Sequence, residues 1–236
     1  MIASVSAFLS DSPAAHVREH TSVLASAEKR ALVWMAERLP RWVSSDHLTA
    51  LGAASMVAAS LAFVQARSTP WALASVPAFL ALNWFGDSLD GTVARVRRRQ
   101  RPRYGFYVDH VVDIANAVLL FTGMALSGLV SGWIAAALLV GYLLLCAESF
   151  LATHALGVFR LSFAGFGPTE LRILLSIGAL VAMVNPVVAP FGLREQLLFD
   201  VGGLIAAIGM FAVFLVSAAR NTAALYRAEP LPQERQ

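Results

Sequence analysis

The stretch "DSLDGTVARVRRRQRPRYGFYVDHVVD", from Asp87 to Asp113, sets four aspartates and a run of arginines between two long apolar segments. Asp87 and Asp90 are three residues apart and Asp109 and Asp113 four apart, spacings that put each pair on one face of a helix. On consecutive antiparallel helices the two faces would meet across a short loop. Carboxylates converging in a semi-polar pocket repel one another and do not all stay ionised unaided. Divalent cations relieve that repulsion, because Mg2+ or Mn2+ takes oxygen ligands and commonly bridges to phosphates. A pair of such ions would also neutralise a diphosphate and stabilise charge developing on a leaving phosphate. Gly91 directly follows Asp90, Ala94 lies one turn beyond it, and Gly105 opens the second helix. Missing side chains there leave room for a ligand to approach the backbone. Tight helix packing is the alternative use of such residues in membranes.

The elements that must position these residues are membrane helices. The chain has 236 residues, 58% of them hydrophobic and 14% charged, too apolar a balance for a soluble domain of this length. Six stretches approach the roughly 20 apolar residues that cross a hydrocarbon layer, at approximately 47–66, 71–95, 105–127, 132–154, 168–189 and 197–219. The expected fold is all-α: a polytopic membrane protein of six transmembrane helices preceded by an N-terminal amphipathic interfacial helix. Its expected organisation is an N-terminal segment over 1–45, a transmembrane catalytic domain over 46–221 and a tail over 222–236.

Residues 23–43 carry the amphipathic pattern. Leu24, Ala27, Ala31, Met35 and Leu39 fall on one side, with Lys29, Arg30 and Glu37 elsewhere, while Glu28 and Arg38 intrude near the apolar stripe. Trp34 and Trp42 suit interfacial anchoring. The alternative is a helix packed on the protein itself. No basic residue precedes the apolar patch at the start of the chain, which argues against a cleaved secretory signal.

Arginine and lysine concentrate in the N-terminal segment, the 95–103 loop, the region around Arg160 and the C-terminal tail. The positive-inside rule therefore expects both termini and the aspartate-rich loop in the cytoplasm. The net charge of +3 sits at the ends of apolar segments, where it suits anionic membrane lipids rather than nucleic acid. The lone Cys146 lies in an apolar run and reads as a small packed hydrophobe.

The order Asp87-x2-Asp90-Gly91-x2-Ala94-Arg95-x9-Gly105-x3-Asp109-x3-Asp113 resembles the signature of the CDP-alcohol phosphotransferase family. The nine-residue gap before Gly105 is at the long end for that family, implying an extended loop. The resemblance implies phospholipid biosynthesis: a substituted phosphate moves from a CDP-linked donor to a lipid or polar alcohol, and CMP leaves. It implies that Asp87, Asp90 and Asp109 bind metal, and that Asp113 is a metal ligand, the general base, or both. It also implies that Gly91, Ala94 and Gly105 line the CDP pocket with support from Arg95, that two Mg2+ or Mn2+ ions are used, and that the protein is a homodimer. The core six-span form resembles bacterial enzymes, which places it in a bacterial inner membrane.

Local features bear on the donor. "DHVVD", with His110 after Asp109, and "GFGPTELR" at 165–172 resemble the choline/ethanolamine phosphotransferase branch. His110 could deprotonate a lipid hydroxyl, or sit at the membrane boundary without a chemical role. Glu170 could hydrogen-bond His110 or a cationic headgroup, or simply favour the start of the helix after Pro168. Arg160 and Arg172 could instead hold an anionic acceptor, or act as positive-inside anchors. Three other classes compete with the family reading. A prenyltransferase would carry two distant aspartate motifs, a transporter would carry acids near mid-bilayer, and a scaffold would pair its acids with Arg95 to Arg103.

Overall fold

The computed structural model describes residues 17–19, 25–160, 167–192 and 194–229. A first helix, α1 (Ala25–Arg38), is followed by α2 (Ser45–Ala66), α3 (Val76–Val96), α4 (Pro102–Ser127), α5 (Gly132–Leu156), α6 (Pro168–Val184) and α7 (Leu198–Ala228). Among the described residues, two short strand pairs accompany the helices. Val17–Glu19 (β1) runs parallel to Val158–Arg160 (β2), and Val187–Val188 (β3) runs antiparallel to Gln196–Leu197 (β4).

Helices α2, α4, α5 and α7 are long and apolar enough to cross a membrane. The other two expected spans also form helices but fall short by that measure: α3 carries Asp87, Asp90 and Arg95, and α6 has 17 residues. Several boundaries shift for local reasons. Residues Pro70–Ser75 form a 3-10 turn, and Pro77 sits in the first turn of α3, so the expected 71–95 span is split. Pro186 forces Asn185 out of the helical region (φ −129°, ψ 83°), which stops α6 well before 189. At the other extreme α7 runs on through the alanine-rich "NTAALYRA" to Ala228, inside the segment expected as a polar tail.

The N-terminal helix packs on the protein through a face rotated from the expected one. Leu32, Met35, Ala36 and Leu39 lie against Leu48, Leu89 and Val93 in a small core beside the aspartates. Ala31, expected on that side, is exposed. Glu28 lies on the packed face, one turn before Leu32, and Leu24 and the side chain of Ala27 are outside the described residues. Trp34 and Trp42 remain 57% and 75% exposed. Helix α1 is therefore packed on the protein along one face and open along the other.

Helix α2 separates the two carboxylate-bearing helices and touches both. A Cβ placed on Gly86 of α3 would lie 2.6 Å from the Gly52 nitrogen and 2.8 Å from the Gly52 Cα. On the α4 side, a Cβ on Gly123 would lie 2.7 Å from the Ser60 carbonyl oxygen. The Ser60 hydroxyl donates to the Leu119 carbonyl at 2.7 Å. Small residues thus let backbones meet, as membrane helices require where no water competes for their surfaces. The larger core, built around Phe63, Leu73, Leu80, Leu120, Met124, Ile134 and Phe199, fills the other half of the bundle. At that end, Asp200 of α7 accepts from the Ser131 nitrogen at 2.6 Å and from the Ser131 hydroxyl, capping α5 from a different helix.

The loop between α3 and α4 is tied to the junction between α1 and α2. Arg97 donates to the carbonyls of Leu39 at 2.9 Å and Pro40 at 3.1 Å, and also to Val43. Arg101 forms a two-pronged, half-exposed pair with Asp46 at 2.5 and 2.7 Å. These two arginines, expected to face lipid, are turned onto their own chain.

Candidate active site

Asp87 and Asp90 lie on the last turns of α3 and Asp109 and Asp113 on the first turns of α4, so the antiparallel hairpin brings the pairs together. Asp87, Asp109 and Asp113, all half-buried, each offer a carboxylate oxygen within 4.8 Å of the others. Asp90 is outside that group. It is nearly buried, 9% exposed, and turned toward α2, where Thr49 Oγ1 donates to its Oδ2 at 2.6 Å and Ser45 donates to its carbonyl at 3.0 Å. The Gly91 backbone N–H also donates to the Asp90 side chain.

Three carboxylates are a hard, all-oxygen donor set. Opposite ligands on an ion of Mg2+ size, with bonds of about 2.1 Å, stand about 4.2 Å apart. A spread of up to 4.8 Å closes to that value with small side-chain rotations, so the residues fit a divalent cation.

A cation of the chain itself already sits at the group. Arg172 of α6 places Nη2 2.6 Å from Asp87 Oδ2 and Nε 2.9 Å from Asn83 Oδ1. Asn83 is fully buried and donates from Nδ2 to the Gly52 carbonyl at 2.9 Å. Its amide therefore links α2, α3 and α6 and fixes the plane of the guanidinium. Sequence reasoning missed Asn83, whose only outward signal is a carboxamide one residue before Trp84 in an apolar helix. Tyr142 and Cys146 of α5, which hydrogen-bond each other, stand within electrostatic range of Asp113. Cys146 is thus near the site rather than merely packed.

The remaining expected site residues have surroundings of their own. A Cβ on Gly91 would meet only the flexible Arg95 side chain, at 3.3 Å, and one on Gly105 would meet nothing within 4 Å. Both glycines leave open space rather than a packed interface. Ala94 is half-buried, and Arg95 donates to Thr92 Oγ1 at 2.9 Å. His110 stacks on Phe106 at 4.1 Å and meets the edge of Phe150 at 4.9 Å. Its Nδ1 lies 2.6 Å from the Phe106 carbonyl, to which it donates, and 3.8 Å from Asp109 Oδ2. Glu170 reaches back to accept from the Gly167 N–H at 3.0 Å, capping α6, and its Oε1 is buried without a partner among the described residues. Arg160 lies in β2, with its side chain outside what the structure describes.

The sequence pattern of the CDP-alcohol phosphatidyltransferases matches residues 42–216, about three quarters of the chain. The chain belongs to that family. CDP-alcohol phosphatidyltransferases are transferases of substituted phosphate groups that move a phosphate-linked group from a CDP-alcohol to an acceptor alcohol, with a divalent metal. Membership removes the prenyltransferase, transporter and scaffold alternatives. It also agrees with the apolar helices in making this an integral membrane protein of phospholipid synthesis. The match starts at the junction between α1 and α2 and runs into α7, leaving α1 outside it. No curated relative matches the chain by sequence.

Proposed function

We propose that this transferase moves a phosphatidyl group from CDP-diacylglycerol to the hydroxyl of a small anionic alcohol, releasing CMP. The observation that carries this reading is the meeting of Asp87, Asp109 and Asp113 beside the Arg172 guanidinium. Two Mg2+ or Mn2+ ions bound there would supply charge neutralisation for the diphosphate and for the departing CMP. Asp87 and Asp109 hold that charge in place, and Asp90 joins them when it turns from Thr49. Asp113 accepts the proton of the acceptor hydroxyl as the new O–P bond forms and the bond from phosphorus to CMP breaks. Gly91, Ala94 and Gly105 keep the backbone open for the nucleotide, with Arg95 at its edge. A half-buried guanidinium suits an acceptor that carries its own phosphate or carboxylate, and for that acceptor the lipid must arrive on the donor.

A second reading is favoured by His110. With Nδ1 donating to the Phe106 carbonyl, the lone pair lies on Nε2, as a base acting on diacylglycerol would need. The donor would then be a CDP-aminoalcohol, as in the choline/ethanolamine branch. In either case the basic segments support a site and termini on the cytoplasmic side, and the resemblance of the core to bacterial enzymes supports a bacterial inner membrane. Residues 46–221 form the catalytic unit, between the 1–45 segment and the 222–236 tail, and the working protein is a homodimer.

The test is CMP release by purified protein in lipid, with Mg2+ or Mn2+ and with EDTA. One arm supplies CDP-diacylglycerol and a pool of glycerol phosphate, inositol phosphate and serine. The other supplies CDP-choline or CDP-ethanolamine with diacylglycerol. Metal-dependent CMP in the first arm alone, lost by at least about 100-fold in Asp109→Asn, is the expected result. CMP in the second arm alone establishes the aminoalcohol reading, and EDTA-resistant release in either arm defeats the metal site.

A further inference from the structure

Glu28 is one of two residues, with Arg38, that intrude on the apolar face of α1 in the sequence, and it lies before the start of the family match at residue 42. Its Oε1 accepts two hydrogen bonds from two different helices: Trp84 Nε1 of α3 at 2.6 Å and Thr169 Oγ1 of α6 at 2.9 Å. Trp84 is three residues before Asp87, and Thr169 three before Arg172. Helices α3 and α6 are therefore joined twice at one level, through the Glu28 carboxylate and through the Arg172 contacts to Asp87 and Asn83.

We propose that Glu28 is a positioning residue for the carboxylate site: it pins the first turn of α6 to α3 and so sets the Arg172 guanidinium on Asp87. A carboxylate oxygen shared by an indole N–H and a hydroxyl is a charge-assisted node, stronger than either neutral bond alone. Its geometry propagates because α6 is a rigid helix and Arg172 lies one turn from the node. Loss of the node lets the α6 N-terminus drift. Arg172 then leaves Asp87 Oδ2, an oxygen for which it competes with a divalent cation. The consequence for binding rests on the metal reading of Asp87, Asp109 and Asp113, whereas the consequence for α6 does not.

The experiment compares full-length wild type, Glu28→Ala, Glu28→Gln and Thr169→Val in detergent. Amide exchange is followed over residues 169–174, and Mn2+ binding is read from the spin resonance of the free ion. Glu28→Ala should speed exchange there at least ten-fold and lower the half-saturating Mn2+ at least three-fold. Glu28→Gln, which keeps a carbonyl acceptor for both donors but loses the charge, should fall between wild type and Glu28→Ala on both readouts. The Mn2+ shift should vanish in an Arg172→Gln background, because Glu28 acts through Arg172. Thr169→Val removes one donor at constant volume and should show a smaller change of the same sign, even if Glu28→Ala folds poorly. Unchanged exchange in Glu28→Ala and Thr169→Val overturns the proposal, as does a Mn2+ shift that persists without Arg172. Absence of Mn2+ binding by the wild type counts against the metal reading alone, and the exchange data then decide the role of Glu28.

Discussion

Gly86→Ala is the sharpest test of how the carboxylate helices are held apart. The added methyl would sit 2.6 Å from the Gly52 nitrogen and 2.8 Å from its Cα, both backbone atoms of α2 that no side-chain rotation can move. The Leu48 carbonyl oxygen of α2 lies closer still, and ordinary van der Waals contact begins near 3.4 Å, so α2 and α3 must separate by about 1 Å. Forcing a methyl into a packed interface costs about 1–3 kcal/mol. For a chain of this size that corresponds to a fall in Tm of about 2–12 °C, at roughly 2–4 °C per kcal/mol. The same displacement stretches the 2.6 Å Thr49–Asp90 bond and shifts Asp87, which directly follows Gly86. Misplacements near 1 Å reduce turnover by up to about 100-fold, so kcat for CMP release should fall by about 10- to 100-fold. Gly209→Ala on α7, where a Cβ meets nothing within 4 Å, is the matched control. It should leave Tm level or raise it, because Ala favours a helix over Gly by about 1 kcal/mol. Purified variants would be melted in detergent and assayed for CMP release with Mn2+. If Gly86→Ala melts and turns over like wild type while Gly209→Ala does the same, the two helices are not in backbone contact and the spacing argument fails.

Two further outcomes separate the site from the scaffold. Asn83→Leu keeps the branched outline while adding bulk, and it removes the bonds to the Gly52 carbonyl and Arg172 Nε. It should lower stability by about 1–3 kcal/mol and reduce kcat beyond what the folded fraction explains, as seen by melting and CMP release on the same sample. Asp200→Ala removes the acceptor for Ser131 at the far end of α5. It should cost about 0.5–2 kcal/mol of stability with kcat per folded molecule unchanged, and a comparable loss of kcat would contradict the distance between cap and site.

The parts of this protein that were legible in sequence are those with a local code. Asp109 and Asp113 at a four-residue spacing had to share a helix face, and the apolar runs had to form helices. The breaks at Pro77 and Pro186 follow from proline's own geometry, yet the expected spans 71–95 and 168–189 ran through both. What was not legible depends on partners far along the chain. Asn83 looked like an unremarkable polar residue until Arg172, 89 positions on, supplied its partner. Glu28 looked like a flaw in an amphipathic stripe because its donors lie 56 and 141 positions away. The motif placed Asp90 with the other aspartates by spacing alone. Which carboxylates share a pocket, however, also depends on α2, where Thr49 competes for Asp90.

The Arg97 clamp has a consequence for how this sequence is free to change. Its guanidinium is satisfied by main-chain carbonyls of residues 39–43, and a carbonyl is present whatever side chain hangs beside it. Evolutionary constraint therefore falls unevenly on the two sides of the contact. The exposed Pro40 and Arg41 side chains can drift without loss of an acceptor. Position 97 cannot pass to lysine, whose single compact ammonium lacks the planar fork that reaches several carbonyls at once. Among close relatives that share α1, an arginine at this position should persist opposite a variable turn.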